Sequence, residues 1–127
     1  MDKVQHFEIP ADDMERAKKF YGEAFGWKLA DVPQMNYTMA YTSQVDEKHM
    51  LKEVGVINGG MLKRTPLAQA PTIAVTVDDI NASLEKIKAA GGATASDVMK
   101  VGDMGLYAYI KDTEGNVIGV WQNVKKP

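Results

Sequence analysis

The chain has 127 residues and no cysteine, which excludes disulfides, thiol catalysis and thiolate metal sites. Its 45% apolar and 25% charged residues suit one folded domain large enough to bury a substantial core, and a net charge of −2 gives no electrostatic footprint for nucleic acid or an anionic membrane. No run approaches the roughly 18 apolar residues of a membrane span, and the start, MDKVQHFEIP, lacks a signal-peptide core, so the expectation is a cytoplasmic protein with no membrane and no nucleic-acid partner.

Val4 to Ile9 reads as a first strand, ended by Pro10, after which Asp12 or Asp13 caps a helix. Met14, Ala17, Tyr21, Ala24 and Phe25 stripe that helix, and Gly26 stops it. Trp27 begins a return strand, and two more strands are expected at Asn36 to Ser43 and Val54 to Met61, with a turn at Asp46-Glu47-Lys48. Residues 63–70 lack any period and read as a linker. Thr72 to Val77 alternates as a strand, Asp79 caps a second helix striped by Ile80, Leu84, Ile87 and Ala90, and Gly91-Gly92 stops it. Three strands follow at about 94–100, 105–111 and 116–123, with a turn at Glu114-Gly115-Asn116.

The two halves repeat each other at an offset of 66 positions. Ile9 meets Val75, Asp13 meets Asp79, Met14 meets Ile80, Gly26 meets Gly92, and His6 meets Thr72. Each half is one strand, one helix and three strands, so the expectation is a single α+β domain, 1–127, of two βαβββ modules at about 1–62 and 71–124. Alternation puts Phe7, Ile9, Ile73, Val75, Ile118 and Val120 against the helices. The opposite faces then carry His6, Glu8, Thr72, Thr76, Gly119 and Trp121, a mixed set that suits either a ligand pocket or a solvent-facing sheet.

HFEIPADDMERAKKFYGEAFGWKL, TIAVTVDDI and DTEGNVIGVWQ together resemble the vicinal oxygen chelate superfamily, which includes glyoxalase I, extradiol dioxygenases and bleomycin-resistance proteins. The resemblance implies that each module curls its mixed sheet into a half-barrel. It also implies, for metal-dependent members, a divalent ion held by four His or Glu side chains with an open position for substrate. The implied ligand positions fall on His6, within Val56 to Gly60, on Thr72 and on Gly119. Only His6 is a competent ligand, so no bound metal is expected, with a divalent ion at His6 as the alternative. A rebuilt His6–Glu8–His49 set would have two imidazoles and one carboxylate.

The expectation for function is therefore binding of a small organic ligand in the barrel cavity. His6 and Glu8 are the candidate acid–base residues, and Asn58, Met61, Thr72, Tyr107, Gly119 and Trp121 are candidate ligand contacts. Tyr107 and Tyr109 share a face, so both line the cavity or neither does. Gly59, Gly60 and Gly119 are expected to leave room for the ligand. The alternatives are a metal-dependent lyase or dioxygenase with an atypical ligand set, and a drug-sequestering resistance protein. Strand edges and apolar faces further suggest a homodimer. There is no phosphate loop, nucleophile elbow or dinucleotide fingerprint, and Asp12-Asp13 and Asp78-Asp79 fit helix caps better than catalysis.

Overall fold

The structure is a computed structural model that describes residues 1–33, 35–48 and 50–124. It divides into two compact units, one of residues 6–71 and the other of Met1–Gln5 together with the chain from Thr72 onward. Among the described residues no helix is long and apolar enough to cross a membrane.

The first unit contains β1 (Lys3–Ala11, whose first three residues group with the other unit), α1 (Met14–Phe25), β2 (Lys28–Val32), β3 (Tyr37–Tyr41) and β4 (Gly59–Lys63). Its sheet runs β2-β3-β4-β1, with β1 and β4 parallel and the other pairs antiparallel. Asp13 caps α1 by accepting from Arg16 N, and Gly26 ends it with φ +72°, a left-handed conformation that glycine adopts without penalty. Pro10 does not end β1. A proline lacks only the donor, and the ladder continues to Ala11, whose carbonyl accepts from Arg64 N. Phe7, Ile9, Leu29, Ala40 and Met61 pack with Met14, Ala17 and Tyr21 of α1 as the apolar core of this unit.

The second unit repeats the plan. β5 (Thr72–Thr76), α2 (Ile80–Ala89), β6 (Ala93–Thr94), β7 (Met99–Val101), β8 (Gly105–Lys111) and β9 (Val117–Asn123) follow in order. β5 and β9 are parallel, β8 and β9 antiparallel, and β6 and β7 both pair with β8. Asp79 caps α2 through Ala82 N. Val75, Ile118 and Val120 pack with Val77, Ile80, Leu84 and Ile110.

Two further strand boundaries differ from the sequence expectation, each for a local reason. The strand expected from Val54 begins at Gly59, because the Asn58 side chain takes Thr42 N (2.8 Å) and Ser43 N (3.1 Å) where a ladder carbonyl would. The strand expected at 94–100 is split in two, because Ser96 Oγ accepts from Tyr109 N at 2.9 Å in place of a main-chain acceptor. Ile73 is 40% exposed and stands outside the core cluster. The turn at 114–116 is closed by Asp112, whose carboxylate accepts from the Asn116 side chain and from Glu114 N and Asn116 N; these bonds hold its pKa below the ordinary aspartate value.

Ile80 is fully buried and Ile73 is not. Ile80→Ala should therefore cost about 2–5 kcal/mol of stability, as cavity-forming substitutions do. Ile73→Ala should cost under about 1 kcal/mol. Chemical denaturation of the two variants checks the assignment, and equal losses would contradict it.

Candidate functional site

On the first unit's sheet, the face away from α1 is ordered by register. One row across the strands is Ala30, Met39, Gly60 and Glu8, and the next is Val32, Tyr37, Leu62 and Pro10. His6 and Glu8 lie two residues apart on β1 and share this face. Between them stands a residue that sequence reasoning missed. Tyr37 Oη lies 2.8 Å from His6 Nε2 and donates to Glu8 Oε2 over a longer 3.4 Å. The imidazole and phenol rings lie nearly parallel, 18° apart. Tyr37 reaches His6 by crossing Gly60, where a Cβ would overlap the phenol oxygen and ring.

The electrostatics follow from burial. Glu8 is 5% exposed and sits beside a phenol that can hydrogen-bond its carboxylate. Burial holds the His6 imidazole below its ordinary pKa, so it is neutral at pH 7. A neutral imidazole carries one N–H and one lone pair. When Tyr37 gives its single proton to Glu8, His6 must supply Nε2–H to the phenol oxygen, and the lone pair falls on Nδ1. The three residues thus form a hydrogen-bonded series of imidazole, phenol and carboxylate.

The second unit repeats the arrangement. Ala74, Gly119 and Tyr109 form one row, and Thr76, Trp121 and Tyr107 the next. Gly119 holds the place in β9 that Gly60 holds in β4, since Ala74 is the repeat partner of Glu8. Likewise Tyr107 corresponds to Tyr37. A Cβ on Gly119 would overlap the Tyr107 hydroxyl, so the room this glycine leaves is filled by that side chain. Tyr107 and Tyr109 are both buried at 7% and meet edge to face at 5.1 Å. Trp121 lies tilted on Tyr107 with centroids 6.2 Å apart, covers Gly105, and donates its indole N–H to Asn123 Oδ1 at 2.8 Å.

The remaining sequence candidates separate. Met61 is a correction: it is fully buried among the residues packed under α1, because Gly60 and Leu62 take the other face of β4. Asn58 Oδ1 serves the Thr42 and Ser43 backbone. Thr72 Oγ1 donates to Val117 O at 2.7 Å. His49, the second imidazole of the rebuilt set, lies outside the described residues, as do Lys125 and Lys126.

The donor chemistry does not fit a four-ligand metal centre. Taken one by one, the implied ligand positions lack free donors: His6 is already bonded to a phenol, Val56 to Gly60 contains no His, Asp or Glu, the Thr72 hydroxyl is bonded to the main chain, and Gly119 is covered by Tyr107. Among the described residues, no group of three or more His, Asp or Glu is placed to hold an ion.

The chain belongs to the Glyoxalase/Bleomycin resistance protein/Dioxygenase superfamily, whose family model matches residues 3–120. It is 32% identical over 120 residues to a glyoxylase-like domain-containing protein of Didymella fabae, covering 90% of this chain and 88% of that one. It is 27% identical over 125 residues to a lactoylglutathione lyase of Haemophilus influenzae, covering 95% and 93%. Among solved structures, a methylmalonyl-CoA epimerase in complex with methylmalonyl-CoA and ammonium matches 100% of this chain and 99% of its own, with a TM-score of 0.65 at 18% identity; that likeness is one of fold. The curled mixed sheets and two helices are those of this superfamily.

Two outcomes follow from the geometry. Gly119→Ala puts a methyl group where the Tyr107 hydroxyl lies, and should destabilise the fold by about 1–3 kcal/mol through overpacking. Thermal denaturation checks it, and an unchanged melting temperature would show that the ring does not lie on this glycine. His6 gives the second. Its folded pKa is lowered, so between that value and the ordinary value of about 6.5 the unfolded chain binds a proton that the folded chain does not. Stability should therefore be unaffected by this group above about pH 6.5 and fall as the pH drops below it. His6→Gln should flatten that part of the profile, with Glu8 and Tyr37 as the neighbouring titratable groups. A parallel pH dependence in both proteins would refute it.

Proposed function

We propose that the chain binds a small organic ligand without a resident metal, against the face of the first unit's sheet that carries His6, Tyr37 and Glu8. The observation that carries this reading is the pair of tyrosine hydroxyls lying over Gly60 and Gly119, with one family ligand position falling on Gly119 and another in the stretch that ends at Gly60. A phenol is neutral at pH 7 and is a hydrogen-bonding group for a carbonyl or hydroxyl, not a ligand of choice for a divalent ion. His6, neutral through burial, is the acid–base group of this face, and Tyr37 positions it. Any chemistry performed here is proton transfer at a bound organic group, with the imidazole lone pair as acceptor. A homodimer is carried with this reading, because the fold presents strand edges that pairing of chains would cover.

A second reading has a specific observation in its favour. The relative named lactoylglutathione lyase covers nearly the whole chain, which supports a lyase of the metal-dependent kind with an unusual ligand set.

Elemental analysis and thermal shift separate the two. Purified protein should hold far less than one Ni, Zn, Fe or Mn per chain, and added divalent ions should hardly move its melting temperature, since only a ligand that prefers the native state stabilises it. Methylglyoxal with glutathione should turn over no faster than background. One tightly bound ion per chain, or a metal-dependent rate abolished by His6→Ala, would replace the first reading with the second.

A further inference from the structure

The first unit also carries a cleft of about 680 Å³, lined by Gly26, Lys28, Ala30, Tyr41 and the segment 42–45. Lys28, Ala30 and Tyr41 belong to the same sheet face as Glu8, since Lys28 pairs with Tyr41 and Ala30 with Met39 in the row of Gly60 and Glu8. Lys28 stands two residues before Ala30 on β2 as His6 stands two before Glu8 on β1, and the two strands run in the same direction, so both residues flank the row of Ala30, Met39, Gly60 and Glu8 on the same side. The cleft therefore lies across the sheet from His6, three strand spacings or about 14 Å away.

Its chemistry is cationic and hydroxylic. Lys28 is the one charged residue among the described residues lining the cleft, and it forms no ion pair with a described residue. The other lysine near β2, Lys18, is by contrast held by Glu15 and Asp31. The cleft wall is built and not merely loose. Asn58 Oδ1 ties down Thr42 N and Ser43 N, Thr42 Oγ1 donates to Ile57 O at 2.6 Å, and Ser43 Oγ donates to Glu53 Oε1 at 3.3 Å. Tyr41 and Gln44 add polar side chains to the lining.

We propose that this cleft is an anion subsite, in which Lys28 holds a carboxylate or phosphate on the distal end of the ligand. An ammonium group takes such anions as a point charge, and nearby hydroxyl and amide groups supplement it. The substrate class is then an elongated organic anion, with its reacting group at His6 and its charged end about 14 Å away. This rests on the proposed ligand face above, but the charged end can be tested without it.

The test is a site-resolved NMR titration of isotope-labelled protein with two probes, inorganic phosphate and glutarate. Saturating shifts are expected at the amides of Ala30, Thr42, Ser43 and Gln44, with a Kd of the order of millimolar for a single charge-assisted contact. Lys28→Met should weaken binding about tenfold, and Lys28→Arg should retain it. The tighter probe names the anionic group. Shifts spread over surface lysines without saturation, or a Lys28→Met variant that is folded by its spectrum and binds as the parent does, would overturn the subsite. Stoichiometric metal in the elemental analysis would overturn the metal-free reading and leave this result standing, so the two failures are distinguishable.

Discussion

In each unit a tyrosine hydroxyl lies where a glycine lacks a side chain, and the open face of each sheet is arranged around that contact. Steric exclusion works in both directions. Any Cβ on Gly60 would push Tyr37 away, and with it the oxygen that His6 and Glu8 share. On Gly119 a Cβ would displace Tyr107, whose ring supports Tyr109 on one side and Trp121 on the other. Interiors are packed densely enough that a single methyl group is felt, so each phenol can lie where it does only because the residue beneath it is glycine.

The repeat was legible because strand, cap and helix spacing follow one offset from β1 to the end of α1. Asp13 and Asp79 cap as expected, and Gly26 turns left-handed where the periodic stripe stops. The shared device was not legible, because that offset fails beyond the first helix. Tyr37 and Tyr107 lie 70 positions apart and Gly60 and Gly119 only 59, since the first module has a long connection between β3 and β4 and the second has a short one between β8 and β9. An equivalence set by hydrogen-bond register does not survive a change in loop length when it is sought by counting along the chain. Tyr37 itself, following an asparagine with φ +47°, carried the ordinary signature of a strand start.

Strand ends were obscured for a different reason. Apolar alternation reports burial, whereas strand pairing is a matter of which groups take the main-chain N–H donors. Asn58 and Ser96 accept such donors with side-chain oxygens, so β4 starts late and the strand at 94–100 breaks. Short polar side chains beside a glycine or a turn are the available clue to such substitutions. Met61 depends on the same register: expected as a ligand contact, it lies on the core face of β4, since neighbouring residues of a strand point to opposite faces.

Charge distinguishes a phenol from an acidic side chain at these glycines. A glutamate in place of either glycine would put a negative charge where the tyrosine hydroxyl of its own unit lies, and a buried charge without a counter-ion is strongly unfavourable. A phenol in the same space adds no charge at pH 7. With His6 neutral through burial, the described part of the first unit's face has Glu8 as its one buried acid, and Tyr37 already hydrogen-bonds it. The face's remaining polarity is directional, carried by an imidazole and a phenol whose hydrogen bond at 2.8 Å fixes the orientation of both rings.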